Sequence, residues 1–304
     1  MLLTRRTFLT RTAALAASAT LPARLWAGST LTIGDLRIDT LSDGNLVMPG
    51  DAVLHGLPEG AAQIITDMGL SADRVEPPCN LTLLRDGTNT VLFDVGAGPD
   101  FMPTAGKILE ALEAAEVSPD EMTHVLFTHA HPDHIWGLFD DFDEPMFANA
   151  AYSIAQAEYD YWTDPDTLNT IGEARMSFAA GAERRLTAIA DRLTFLRDGD
   201  EAVAGVTTLL SPGHTPGHTS YVIGQGREAV MVLGDAIGNH HLAFARPEWP
   251  SASDQDSGTG IATRKALFER IMAEDMAVIG FHLPDGGIGR VERAGDGYHF
   301  QPET

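Results

Sequence analysis

The sequence predicts an α/β fold, with strands and helices packed in layers. Three observations predict it. Short apolar runs of strand length, bounded by Gly, Pro and Asp, recur between segments of helical periodicity. Elements that alternate in this way pack as layers around a shared core. A chain of 304 residues, 44% of them hydrophobic, can supply such a core. Several of the apolar runs also stop abruptly at His or Asp, which puts polar chemistry at strand ends.

The first 27 residues contain no acid. They pair Arg5 with Arg6 ahead of Phe8 and Leu9, then run into an Ala/Leu-rich stretch too short to span a bilayer. This is the layout of a signal peptide, and TRRTFL resembles the twin-arginine class. The expectation is export to the periplasm, no stable membrane association afterwards, and a single domain over residues 28–304. The cleavage point stays open between Ala19 and Ala27.

Leu31 to Gly44 reads as a strand and turn. Asn80 to Gly96 reads as a hairpin about the Asp86-Gly87 turn. Pro103 to Val117 reads as a helix, with Pro103 in its first turn and Ile108, Leu109 and Leu112 on one face. Thr123 to Thr128 is a short buried strand. Gly205–Gly224 and Glu228–Ala236 read as further strands with Gly- and Pro-rich ends. Gly260–Asp275 reads as a helix and Met276–His282 as a last strand.

The formal net charge is -23, and Lys107 and Lys265 are the only lysines. Such a surface repels phosphate backbones, so nucleic acid is excluded as a partner. The single cysteine, Cys79, forms no internal disulfide. It stands before an apolar run, where a buried, inert thiol is expected.

The chemistry lies in FTHAHPDHIWG, Phe127 to Gly137. Residues i and i+2 of an extended segment point the same way, so His129 and His131 can grip one metal from the end of a strand. Pro132 then bends the chain, and Asp133 and His134 can face a second position. Imidazole and carboxylate are ligands that zinc and similar divalent ions accept. Three more candidates stand at strand ends: His214 in SPGHTPGHTSY, Asp235 in VLGDA and His282 in VIGFHLPDGG.

THAHPDH, SPGHTPGHTSY, LGDA and GFH occur in the order of the metallo-β-lactamase superfamily, which the chain resembles from about Asn80 to Pro302. Within it the chain looks most like the methyl parathion hydrolase branch, through FDVGAG, the Met102–Met122 segment, the Phe244 region, GIGRV and GDGYHF. The resemblance implies a four-layer αββα sandwich and two divalent metal ions, with zinc expected. His129, His131 and His214 would hold the first, and Asp133, His134 and His282 the second. Asp235 would bridge them, and Asp133 and Asp235 would help move protons. A hydroxide shared by the metals would then attack a small neutral ester, lactone or phosphotriester. A homodimer is left open.

The same resemblance suggests Phe101, Trp162 and Phe178 as aromatic walls of a substrate pocket. His218 is divided between orienting a ligand and plain packing, and His240 and His241 between pocket and packing. His55, His124 and His299 read as structural or solvated. The best-known lactonase branch carries a tyrosine where this chain has Gly238. Asp235 excludes the β-lactamases with a cysteine ligand, and too few residues follow His282 for the glutathione-gripping region of glyoxalase II. A mononuclear-iron sulfur dioxygenase on the same fold is the alternative, with a β-lactamase behind it. The dioxygenase needs mainly His129, His131, His214 and Asp235. Arg290 is the cation expected to matter if the substrate carries a carboxylate.

Overall fold

The computed structural model describes residues 27–140 and 142–303. Apart from Ala27, the expected signal peptide lies outside them. Strands β1 (Ala27–Ile33), β2 (Leu36–Asn45), β3 (Pro78–Arg85), β4 (Thr90–Phe93), β5 (His124–Leu126), β6 (Ala151–Ala155) and β7 (Leu193–Leu196) form one sheet in chain order. β1 to β4 pair antiparallel, and β4 to β7 pair parallel. β8 (Glu201–Val203), β9 (Val206–Leu210), β10 (Thr219–Ile223), β11 (Val230–Val232), β12 (Ala277–Ile279), β13 (Ile288–Ala294) and β14 (Gly297–Pro302) form the second, again in chain order. Its one parallel pair is β11 with β12.

Parallel neighbours need crossovers, and helices supply them. Helix α1 (Ile108–Ala114) joins β4 to β5. Helices α2 (Gln156–Thr163) and α3 (Met176–Ala188) lie between β6 and β7, and α4 (Ser257–Glu274) joins β11 to β12. Alternation along the strands then sorts the side chains into layers. Val91 and Phe93 of β4 and Val230 and Val232 of β11 meet in the core between the sheets. Leu92 faces the helices on one side and Met231 the helix on the other. The result is the expected αββα order. Each buried Val, Leu or Phe contributes about 1.5–3 kcal/mol. A one-residue slip would turn every one of them to the wrong face, so the register is fixed.

Two expectations are corrected. Leu31–Gly44 is not one strand but spans parts of β1 and β2, which turn at Gly34 with φ of +57°. The helix after Pro103 begins only at Ile108. The buried carboxylate of Asp43 accepts the N–H groups of Ala97 (2.8 Å), Gly106 (3.1 Å) and Lys107 (2.6 Å), and so holds the preceding residues as a loop. The buried face of α1 is Ile108, Ala111 and Leu112, while Leu109 is exposed.

Candidate metal centre

β5 delivers the chain to the edge of the sandwich, and Asp94 at the end of β4 shapes the loop beyond it. Its Oδ1 accepts the Thr128 N–H at 2.7 Å. Its Oδ2 accepts the Thr128 hydroxyl at 2.7 Å and the Nδ1 side of His134 at 2.8 Å. The chain between, His129 to Asp133, is thereby looped outward. Pro132 opens a helical turn, Pro132–Ile135, that carries Asp133 and His134.

Two groups of potential ligands result. In the first, His131 Nδ1 lies 3.0 Å from His129 Nε2 and 2.8 Å from His214 Nε2. In the second, Asp133 Oδ2 lies 3.5 Å from His134 Nε2 and 3.2 Å from His282 Nε2. Asp235 spans the two. Its Oδ1 is 3.3 Å from His134 Nε2, and its Oδ2 is 3.4 Å from His214 Nε2 and 3.3 Å from His282 Nε2. All seven residues are buried. The structure therefore brings together every residue that the sequence put forward as a ligand.

The donor set fits a pair of cations. A neutral imidazole nitrogen makes a single in-plane hydrogen bond, yet His131 Nδ1 faces two other ring nitrogens. Asp133 Oδ2, His134 Nε2 and Asp235 Oδ1 are buried and make no hydrogen bond. Polar atoms so placed are costly unless something positive satisfies them.

The groups differ electrostatically. Burial, reinforced by the neighbouring imidazoles, pushes His129 and His131 well below the usual histidine range. Burial also opposes charge on His134, but Asp235, Asp133 and Asp94 outweigh it and raise the ring to about 10. His282 is raised well above its ordinary value by Asp235 and Asp133, likewise against burial. His129 and His131 are thus neutral donors, whereas His134 and His282 hold protons that a cation would displace.

Supporting contacts fix the rings. His282 donates from Nδ1 to the Pro78 carbonyl at 2.7 Å, leaving Nε2 for the site. His214 Nδ1 stands 3.5 Å from Asp254 Oδ1. His218 accepts the N–H of Asp235 and reaches the Ser211 hydroxyl, which places it behind the site as an orienting group. Asp94 and Asp254 were not singled out by the sequence. Asp94 carried one signal, a carboxylate ending the apolar run TVLF; Asp254 carried none.

A cavity of about 340 Å³ opens above both groups. Met48, Val75, Phe101, Met102 and Phe178 wall it, and His131, Asp133, His214, Asp235 and His282 form its floor. Phe101 and Phe178 meet edge to face at 6.0 Å. Trp162 is corrected: it is not in the wall. It is buried, its indole N–H donates to Glu158 at 2.6 Å, and its ring lies edge-on to His131 at 5.7 Å. His241 lines the cavity beside Gly238 and Asn239, whereas His240 does not. Arg290 is also corrected. It is bound on the surface to Glu303 and Asp275, and the cation of the wall is Arg175.

A family model described as the metallo-beta-lactamase superfamily matches residues 74–275. An N-acyl homoserine lactonase of Bacillus cereus is 27% identical over 246 residues, 80% of this chain and 85% of the relative. The N-acyl homoserine lactonase AttM of Azorhizobium caulinodans is 27% identical over 57% of this chain, a match that spans only 63% of that relative. Among solved structures, AidC, a dizinc quorum-quenching lactonase in complex with a product, superposes with a TM-score of 0.84. Its identity is 25%, covering 92% of this chain and 98% of that one. The hydrolase AbOPH of the beta lactamase superfamily superposes equally, at 0.84 and 26% identity, covering 91% of this chain and 98% of that one. The curated relatives therefore point to N-acyl homoserine lactonases rather than to the methyl parathion hydrolase branch.

Proposed function

The chain belongs to the metallo-beta-lactamase superfamily, and from that premise we propose a dinuclear metal-dependent hydrolase that opens a small, neutral lactone bearing an apolar tail. One observation carries the reading: two ligand groups joined through Asp235 lie at the floor of a largely apolar cavity. His129, His131 and His214 would hold one ion, and Asp133, His134 and His282 the other, with Asp235 serving both. Nitrogen and carboxylate donors of this kind suit zinc. Bound there, the ions would supply Lewis acidity and make water acidic enough to act as a nucleophile near neutral pH.

The chain's own residues supply the rest. Met48, Phe101, Met102 and Phe178 hold an apolar tail and exclude water around it. Asp133 and Asp235 present carboxylate oxygens to the floor, where one of them would take the proton of the attacking water and pass it to the ring oxygen as the acyl–oxygen bond of the lactone breaks. His241 is buried in the cavity wall near Gly238, the position at which the lactonase branch carries tyrosine, and its Nδ1 is without a partner. Burial, with a smaller contribution from His240, lowers it to about 4, so the ring is neutral at pH 7 and offers one N–H to a substrate oxygen. The names of the relatives support the lactone within the wider class of esters, lactones and phosphotriesters. Completeness of the second group favours two ions over a mononuclear dioxygenase.

The test is elemental analysis of the purified protein, followed by steady-state kinetics on N-acyl homoserine lactones of graded chain length, aryl esters, phosphotriesters and β-lactams. Two divalent ions per chain are expected, with the highest kcat/KM on a lactone. A single iron per chain with no hydrolysis would overturn the reading.

A further inference from the structure

Glu158, in the first turn of α2, is completely buried and belongs to neither ligand group. Its Oε1 accepts the Ala130 N–H at 3.0 Å and the Trp162 indole N–H at 2.6 Å. Its Oε2 accepts the Thr215 hydroxyl at 2.7 Å and the Gly217 N–H at 2.9 Å. Ala130 sits between His129 and His131, and Thr215 follows His214 directly. One carboxylate therefore clasps both loops that supply the three-histidine group. Close approach is built in: a Cβ on Gly217 would come within 2.1 Å of the Glu158 nitrogen. A buried carboxylate is costly on its own, and four donors with no competing acceptor are what offset that cost. If its only task were to tie the layers together, an apolar contact would serve without the desolvation penalty.

We propose that Glu158 is a positioning residue that sets the cation affinity of the three-histidine half of the centre. It acts by fixing the distance between the His129–His131 loop and the His214 loop. The inference rests on the dinuclear reading above. Glu158→Gln keeps the shape but turns an amide N–H₂ toward two donors on one side, so one loop is released.

Wild type and variant would be loaded with cadmium and followed by cadmium NMR, which separates a site with three imidazoles from one with two imidazoles and the further carboxylate of Asp133. Zinc affinity would be measured by competition with a chromophoric chelator. Glu158→Gln should lose or broaden the three-imidazole resonance and bind that ion about tenfold more weakly or worse, while the other resonance remains. Asp43→Asn, at an equally buried carboxylate that grips loops elsewhere, should keep both resonances. If Glu158→Gln is insoluble, Thr215→Val removes one donor of the four and should weaken the same ion selectively. Retention of both ions at wild-type affinity, or equal loss in Asp43→Asn, overturns the proposal. A wild-type protein that binds no ion overturns the dinuclear reading instead.

Discussion

His218 Nε2 accepts the backbone N–H of Asp235 at 2.9 Å, while its Nδ1 lies 2.8 Å from the Ser211 hydroxyl. The ring can do this only when neutral, with the proton on Nδ1. Burial, helped by nearby His214, ensures it by lowering His218 to about 3. The carboxylate that spans the two ligand groups is thus held by its own main chain. His218→Ala leaves a buried N–H without a partner, at a cost of about 1–3 kcal/mol. It should also weaken metal binding by about 10–100-fold, as losses behind a ligand do. Denaturant titration with chelator competition checks both. Unchanged metal affinity would reduce His218 to packing.

Metal removal should be visible in stability. Buried polar atoms without partners among the ligand side chains favour the loaded fold over the empty one. Free metal at roughly a thousand times its dissociation constant stabilises by about 4 kcal/mol. At roughly 2–4 °C per kcal/mol for a chain of this order, chelation should lower Tm by roughly 10 °C, reversibly on adding zinc. Asp235→Ala should abolish the difference and nearly all turnover. A chelator-independent Tm in the wild type would count against any resident metal.

How far this could be read in advance depended on whether a residue announces itself locally. H-x-H-x-D-H after an apolar strand is legible because strand geometry fixes where those side chains point. His214, Asp235 and His282 were legible as abrupt polar ends to apolar runs. Glu158 was not, since it is one of 43 acids and its partners lie 28 and 57 positions along the chain. Trp162 lies behind the cavity wall rather than in it, and nothing local tells whether an indole faces a cavity or a buried carboxylate. The start of α1 is not legible locally because Asp43, more than 60 positions upstream of Lys107, claims the N–H groups there.

Phe178 and Trp162 should therefore separate in kinetics. Phe178 lies in the cavity wall, 5.8 Å from the His131 ring. Phe178→Ala removes an apolar contact from a substrate tail and should raise KM on a long-chain lactone about tenfold or more, with metal content intact. Trp162→Ala empties a core position and should cost about 3–5 kcal/mol of stability. It also takes one donor from Glu158. Measured KM values and Tm for the two variants give the answer. Equal effects on both quantities would show that the layers have been confused.

Cys79 should be inert in the native state. It is fully buried, and burial pushes its thiol up to about 12 despite the opposing pull of His282. A folded-state value above the unfolded 9.0 favours the neutral thiol. Its contribution to stability is full below pH 9 and is lost as pH rises toward 12. At about pH 8 the native protein should resist a thiol-reactive dye for hours, then label at once when unfolded. Fast native labelling would show that the strand carrying Cys79 opens readily.

The last expectation concerns what the cavity refuses. Arg175 is the cation in its wall, but Nη2 already donates to the carbonyls of Ala252 at 2.9 Å and Ser253 at 3.1 Å. It straps the segment before α3 to the loop that ends in Asp254, beside His214. A carboxylated β-lactam would have to compete with that strap, on a chain of net charge -23 that already repels anions. A neutral lactone meets no such competition. Arg175→Ala should loosen the wall and raise KM for the lactone several-fold, at about 1.4 kcal/mol per factor of ten. Arg175→Lys keeps the charge but loses the planar fork, and should recover little of it. In the wild type, kcat/KM for a neutral lactone should exceed that for a carboxylated β-lactam. If the β-lactam is instead turned over far better than every neutral ester and lactone, and Arg175→Ala removes that preference, then Arg175 is an anion anchor and the substrate class is wrong.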